Sequence, residues 1–102
     1  MGKNNIIPLQ EKSIAEECLI FKHSTRCPVS SDAAEVVSAL EVELPIYWVN
    51  VVEQRPMSDW VEQSLSVTHQ SPQLICVKNG AAVWNITHRE IKQEKIEALL
   101  GK

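Results

Sequence analysis

Four short apolar runs along the chain have the length and composition of buried β-strands. Each run holds five to seven residues, most of them aliphatic or aromatic. Such runs are typical of strands in the interior of a sheet. The predicted strands are Cys18–Lys22, Ile46–Val52, Pro72–Val77 and Ala81–Ile86. The dipeptide Asn79-Gly80 between the last two favours a two-residue turn, so these strands are expected to form a hairpin.

The segments around the strands show the spacing of amphipathic helices. In the clearest case Ala33, Val36, Val37 and Leu40 recur at helical spacing, with acidic residues between them. Pro28 suits the first turn of this helix, where its missing N–H costs nothing. The predicted helices are Leu9–Glu17, Pro28–Glu43, Met57–Ser66 and Glu90–Leu100.

The element order is therefore α-β-α-β-α-β-β-α. Strands that alternate with helices imply parallel crossovers, and the final hairpin adds an antiparallel pair. Because crossovers are right-handed, few arrangements remain. The sequence predicts an α/β protein with the thioredoxin-like fold, a central four-stranded mixed sheet with helices on both faces. Residues 1–102 are expected to form a single domain.

Composition and charge exclude several classes of partner. The net charge of -3 argues against a non-specific grip on nucleic acid or anionic lipid. The chain shows no signal peptide and no run long enough to span a bilayer, so we expect a cytoplasmic protein. We also expect a monomer. His23 and Cys27 stand four positions apart, but no C-x-x-C or H-x-x-x-H accompanies them, so no metal site is expected.

The three cysteines, Cys18, Cys27 and Cys76, form no C-x-x-C, and an odd number argues against a disulfide framework. Cys18 and Cys76 stand inside predicted strands and are expected in the core. Cys27 falls where a strand meets a helix, among polar neighbours. The partial positive charge of a helix N-terminus favours the thiolate and lowers a thiol pKa from ~8.5 to between ~3.5 and ~7.5. Because the thiolate attacks disulfides, Cys27 is predicted to be the catalytic residue.

Ser30 stands three positions after Cys27, where dithiol enzymes have a second cysteine. A serine forms no disulfide, so the reaction stops at a mixed disulfide until another thiol arrives. This monothiol design suits exchange with a small-molecule thiol. A redox-inactive thioredoxin-like module that binds proteins is one alternative, although it has no need of Cys27. An arsenate-reductase-like enzyme is another, but Arg26, Arg55 and Arg89 are scattered rather than clustered.

The segment His69-Gln70-Ser71-Pro72 precedes the third predicted strand. In a thioredoxin-like fold a cis-proline at this point faces the reactive cysteine. The Ser71–Pro72 bond is therefore predicted to be cis, with Pro72 beside the Cys27 sulfur. The backbone N–H and C=O of Ser71 would then pair with an extended substrate backbone. Gln73 is either a supporting residue or a solvated one.

Three stretches, "FKHSTRCPVSSDA", "HQSPQLICVKNG" and "VWNITHREI", resemble the monothiol bacilliredoxins of the YtxJ type. The resemblance runs from the first predicted strand to the last helix. It implies a thioredoxin-like enzyme of bacteria that use bacillithiol, a low-molecular-weight thiol, in place of glutathione. Such an enzyme removes bacillithiol from S-bacillithiolated proteins. The family motif usually reads Thr-Cys-Pro, whereas here Arg26 separates Thr25 from Cys27, as in some members.

By position, the resemblance makes Cys27 the residue that holds bacillithiol as a mixed disulfide. The residues that it implies for the substrate groove are Ser24, Thr25, Arg26, Pro28, Ser71 and Pro72. Bacillithiol is then a co-substrate, no cofactor is tightly bound, and the protein partners are bacillithiolated clients. Free bacillithiol or a partner reductase regenerates the enzyme. Lys22, Arg26 and Arg55 are candidate charge partners for the malate-derived carboxylates, although the residues alone do not separate bacillithiol from glutathione or coenzyme A.

Overall fold

A five-stranded mixed sheet forms the centre of the computed structural model, which describes residues 5–24, 28–40, 42 and 44–101. The strand order is β1-β3-β2-β4-β5. β1 and β2 are both parallel to β3, whereas β4 is antiparallel to β2 and β5 is antiparallel to β4. In chain order the elements are β1 Asn5–Pro8, β2 Cys18–His23, α1 Pro28–Ser38, β3 Pro45–Asn50, α2 Arg55–Leu65, β4 Gln73–Lys78, β5 Ala81–Thr87, a 3-10 turn His88–Glu90 and α3 Gln93–Leu99.

Helices cover both faces of this sheet, as predicted. The side chains of a strand alternate between faces, and two buried clusters follow that alternation. The cluster on the α1 face joins sheet residues to α1 and α3; its members include Leu19, Phe21, Leu74, Cys76, Ala33, Val37 and Ile96. The cluster on the α2 face joins the alternate sheet residues to α2; its members include Cys18, Ile20, Ile75, Val77, Val61 and Leu65.

The beginning of the chain differs from the prediction in two ways. A fifth strand, β1, was not predicted. It contains only two apolar residues in a row, Ile6 and Ile7, and so short an apolar run does not indicate a strand. It pairs with β3 through Ile6 opposite Ile46. The predicted helix Leu9–Glu17 is absent, and the segment crosses the sheet in irregular conformation. Leu9 and Ile14 both pack on the α2 face, but residues five apart lie about 140° apart around a helix.

Two predicted elements end earlier than expected. The helix predicted over Pro28–Glu43 ends at Ser38, and Leu40 enters the core from the turn that follows. The strand predicted over Ile46–Val52 ends at Asn50, because Asn50 Oδ1 accepts hydrogen bonds from the N–H groups of Val52 (3.0 Å) and Glu53 (3.2 Å). Such a side-chain bond to backbone replaces strand pairing with a turn.

The remaining predicted elements are present with small shifts. The α2 helix and β4 each begin and end within two residues of the predicted bounds. The predicted helix Glu90–Leu100 begins at Gln93, because Thr87 and Glu90 form a capping box around the 3-10 turn that precedes it. In the hairpin, Asn79 (φ 54°) and Gly80 (φ 76°) take the left-handed conformations that a two-residue turn requires. Among the residues that the structure describes, no helix has the length and apolarity needed to cross a membrane.

Candidate active site

The end of β2 and the start of β4 lie side by side at one end of the sheet. In this antiparallel pair Lys22 is opposite Gln73. The chain leaves β2 at His23, reaches Cys27 four residues later and enters α1 at Pro28. The turn 68–72 leads into β4 at the same end. The register therefore brings the segment that carries Cys27 and the turn that carries Pro72 to the same end of the sheet.

The predicted site residues fall partly outside the described part of the chain. Thr25, Arg26 and Cys27 lie outside the described residues, so the predicted contact between Pro72 and the Cys27 sulfur stays a prediction. Pro28 is the first residue of α1. Ser24 is half-buried directly after β2. No acidic residue stands in the first turn of α1, so no carboxylate there offsets the positive end of the helix.

The turn 68–72 carries the second half of the candidate site. The Ser71–Pro72 peptide bond is cis, as predicted from the sequence. Pro72 is buried, and its carbonyl oxygen accepts a hydrogen bond of 3.0 Å from the N–H of His88. The hydroxyl oxygen of Ser71 is buried and has no hydrogen-bond partner within the described ranges. A buried hydroxyl without a partner is uncommon, and it leaves one hydrogen-bonding group free beside Pro72.

Gln73 supports this turn from within the sheet. Its side chain is fully buried, so a solvated role is excluded. The amide nitrogen donates to the carbonyl oxygen of Thr68 (3.1 Å), and the amide oxygen accepts from the N–H of Gln70 (3.3 Å). The same nitrogen lies 3.4 Å from Asn85 Oδ1. Gln73 thus fixes the backbone at two points of the turn.

Lys22 is buried rather than exposed to ligands. Its side chain is 0% exposed, and Nζ lies 3.2 Å from Nδ1 of His69. Burial lowers the pKa of this ammonium from its ordinary value, while Glu62 and Asp59 act in the opposite direction. The expectation that Lys22 is a charge partner for a carboxylate of bacillithiol is therefore wrong, because the side chain is buried on the α2 face, following the strand alternation.

His69 connects β2, α2 and the turn. Its backbone N–H donates to Glu62 Oε2 at 2.7 Å, and its Nδ1 lies 3.3 Å from the hydroxyl of Ser58, a buried residue of α2. Burial of this ring edge lowers the His69 pKa, and the Lys22 charge lowers it further. The sequence pattern did not indicate a role for His69 or Ser58. A lysine in an otherwise apolar strand was the available signal.

His23 faces the opposite side of the sheet. Its ring stacks on Phe21 with centroids 5.5 Å apart and meets Trp48 edge-on at 5.2 Å. Burial in this aromatic group lowers the His23 pKa below its ordinary value. Within the described residues, no three His, Cys, Asp or Glu side chains come together as a metal site requires. A cavity of about 320 Å³ lies beside β1, lined by residues that include Ile7 and Tyr47, and it shares none of the groove residues.

The other two cysteines are core residues, as predicted. Cys18 and Cys76 are both 0% exposed. Cys18 is opposite Val77 and Leu19 is opposite Cys76, so the two thiols point to opposite faces of the sheet and form no disulfide. Burial raises the Cys18 pKa to about 12 and also raises the Cys76 pKa. At neutral pH both remain protonated thiols.

Brief treatment of the folded protein with iodoacetamide should therefore label Cys27 and spare Cys18 and Cys76. The reagent reacts with exposed thiolate, and burial removes both the access and the thiolate from the two core cysteines. Peptide mapping by mass spectrometry measures the labelled fraction at each position. The same reaction in denaturant, where all three cysteines should react, is the control. Equal labelling in the folded state, or preference for Cys76, would contradict this assignment.

The sheet order, the helices on both faces and the cis-proline turn define a protein of the thioredoxin fold, and solved structures agree. A protein described as a candidate oxidoreductase with a thioredoxin fold superposes with a TM-score of 0.81 at 28% identity, over 96% of this chain and 95% of that chain. Reduced Schistosoma mansoni thioredoxin pre-protein gives 0.73 at 16% identity, over 96% and 97%. Malassezia sympodialis thioredoxin gives 0.70 at 17% identity, over 99% and 90%.

The family is more specific than the fold. The sequence model of the monothiol bacilliredoxin BrxC family matches residues 3–96. The chain belongs to this family, which confirms the resemblance seen in the sequence. Family and fold together support a thiol redox function. The predicted fold is confirmed, with five strands in place of the predicted four.

Proposed function

We propose that this protein is a thiol–disulfide oxidoreductase that removes bacillithiol from S-bacillithiolated proteins through a mixed disulfide on Cys27. The observation that carries the proposal is the meeting of two segments at one end of the sheet. α1 begins directly after Cys27, and the β2–β4 register brings the turn 68–72 to the same end. Membership of the monothiol bacilliredoxin family supports bacillithiol as the thiol.

The reaction consists of two thiol–disulfide exchanges. In the first, the Cys27 thiolate attacks the bacillithiol sulfur of the client disulfide; the client leaves as a thiolate and Cys27–S–S–bacillithiol forms. In the second, a bacillithiol thiolate attacks the bacillithiol sulfur of this adduct, which releases Cys27 thiolate and bacillithiol disulfide. The two electrons that reduce the client thus come from bacillithiol. A partner reductase is the alternative source of electrons for the second step.

The residues around Cys27 have distinct parts in this scheme. The N-terminal end of α1 stabilises the thiolate, both as attacking and as leaving group. Ser71 offers its backbone N–H and C=O to the extended chain of the client. The remaining residues of the proposed groove are Ser24, Thr25, Arg26, Pro28 and Pro72. With Ser30 in the first turn of α1, no second thiol stands three positions on, so release needs an external thiol.

The co-substrate, the partners and the cellular location belong to the same proposal. Bacillithiol acts as a co-substrate, and no tightly bound cofactor takes part. The partners are bacillithiolated client proteins and the low-molecular-weight thiol, without nucleic acid or membrane. The protein works as a monomer in the cytoplasm, the compartment where bacillithiol is kept reduced.

Intact-mass analysis tests the proposal. After separate incubation with the disulfides of bacillithiol, glutathione and coenzyme A, the protein should gain one bacillithiol per chain, faster than either other adduct. Reduced bacillithiol should remove it. The Cys27→Ser variant is the matched control and should stay unmodified. Absence of any adduct would overturn the enzymatic proposal and favour a redox-inactive binding module, whereas equal rates with all three disulfides would overturn bacillithiol as the preferred thiol.

A further inference from the structure

The buried ammonium of Lys22 has no part in the two exchange steps. Moving an ammonium out of water is costly unless partners compensate. Within the part of the chain that the structure describes, Lys22 Nζ has a hydrogen-bond partner in the imidazole of His69, at 3.2 Å. An aliphatic side chain would fill this position in the strand without that cost. The cost of burying this charge indicates that Lys22 has a role other than stabilising the fold.

We propose that Lys22 is a positioning residue of the groove, which holds the turn 68–72 in place through its hydrogen bond to His69. This inference rests on the proposed function, because the turn carries Ser71 and Pro72, which the proposal places against the substrate. Lys22 acts through the turn and does not touch the reacting sulfurs.

The bonds of the turn show what Lys22 adds to it. Gln73 holds the backbone at Thr68 and Gln70, and Glu62 holds the N–H of His69. These bonds fix the path of the backbone. The Lys22–His69 bond fixes the His69 side chain against β2, the strand that leads to Cys27. It therefore ties the turn directly to the strand on the other side of the groove.

The bond requires a neutral His69. An ammonium only donates hydrogen bonds, so Nδ1 must be the acceptor and the ring proton must sit on Nε2. Protonation of His69 would place an N–H against the ammonium. The charged groups that act on His69 are Lys22 from β2 and Arg55, Asp59 and Glu62 from α2. Burial, Lys22 and Arg55 oppose protonation and outweigh the two carboxylates, so the His69 pKa lies below its ordinary 6.5.

The first test compares Lys22→Met with Lys78→Met, which removes the same charge from an exposed position at the end of β4. The probe is a short cysteine peptide in mixed disulfide with bacillithiol, and the readout is release of the peptide thiol. Lys22→Met should slow release about 10-fold or more, because small displacements of positioning groups cost large factors in rate. Its urea midpoint should be unchanged or higher, since a buried charge has been removed. Lys78→Met should match the wild type in both.

The second test uses His69→Asn, whose Oδ1 takes the place of Nδ1 as an acceptor that does not titrate. At pH 7.5 this variant should release the peptide at nearly the wild-type rate. As the pH falls below 6.5 through the His69 pKa, the wild type should lose its Lys22–His69 bond while the variant keeps it. The ratio of the variant rate to the wild-type rate should therefore rise toward acid pH. Titration of Cys27 affects both proteins and cancels in this ratio.

The outcomes separate this inference from the proposed function. Release by Lys22→Met at the wild-type rate, or a rate ratio for His69→Asn that stays flat with pH, would overturn the positioning role while wild-type activity keeps the function intact. A parallel loss of rate and urea midpoint in Lys22→Met would also overturn it, because it would reveal a purely structural lysine. Failure of the wild type on both the bacillithiol peptide and the matching glutathione peptide would instead refute the proposed function.

Discussion

Cys27→Ser should reduce peptide release from a bacillithiol mixed disulfide to the uncatalysed rate and leave the free energy of unfolding nearly unchanged. The attacking species is a thiolate, and a serine hydroxyl neither ionises near neutral pH nor forms a disulfide. Serine is also among the preferred residues directly before a helix, so the start of α1 at Pro28 is retained. Thiol release measures the rate, and urea unfolding followed by tryptophan fluorescence measures the stability.

Cys76→Ala is the matched control for this loss. It removes a thiol that is fully buried and whose pKa is raised by burial, so it should lower stability by leaving a small cavity without slowing exchange. Exchange that persists in Cys27→Ser would move the chemistry to a core cysteine. Exchange that disappears in Cys76→Ala, in protein shown to be folded, would do the same.

Phe21→Ala should destabilise the protein by about 3–5 kcal/mol, the usual range for a buried phenylalanine. Phe21 is 0% exposed on the α1 face, stacks on His23 and meets Trp48 edge-on at a centroid distance of 4.9 Å. Alanine removes the ring from both contacts and leaves a cavity between β2 and α1. Because small domains are stable by only about 5–15 kcal/mol, the shift in urea midpoint should be large.

Val83→Ala is the control for Phe21→Ala. Val83 is 52% exposed and lies at the irregularity in β5, where Trp84 pairs with Cys76 and Ala82 with Val77. Its truncation should cost about 1 kcal/mol or less. If the two variants lose similar stability, the assignment of Phe21 to the principal core would be wrong.

The irregularity in β5 changes which face of the sheet each side chain occupies, and the sequence pattern of the strand does not indicate this change. Ala82 and Trp84 are two positions apart and would share a face in a regular strand. The extra residue Val83 separates their faces, so Ala82 packs on the α2 face and Trp84 on the α1 face. A one-residue shift of this kind depends on pairing with the neighbouring strand, which the local sequence does not encode.

Local chemistry in the sequence was enough for the central strands, the hairpin and the place of Cys27 directly before α1. The strand at Cys18 is read from five consecutive residues, the turn from Asn79-Gly80, and the position of Cys27 from the proline that opens the next helix. Each signal lies within a few residues of the feature that it predicts, so backbone preference and side-chain burial determine it directly. The family resemblance rests on the same short stretches.

Only the tertiary structure determined the position of β1, the irregular path of residues 9–17 and the pairing of Lys22 with His69. β1 is a strand because Ile6 pairs with Ile46 of β3. Residues 9–17 are irregular because they connect β1 to β2, which lies on the other side of β3. Lys22 and His69 are separated by 47 positions and meet because β2 and β4 pair antiparallel. These features depend on contacts between distant segments, which exist only once the sheet has formed and its register is set.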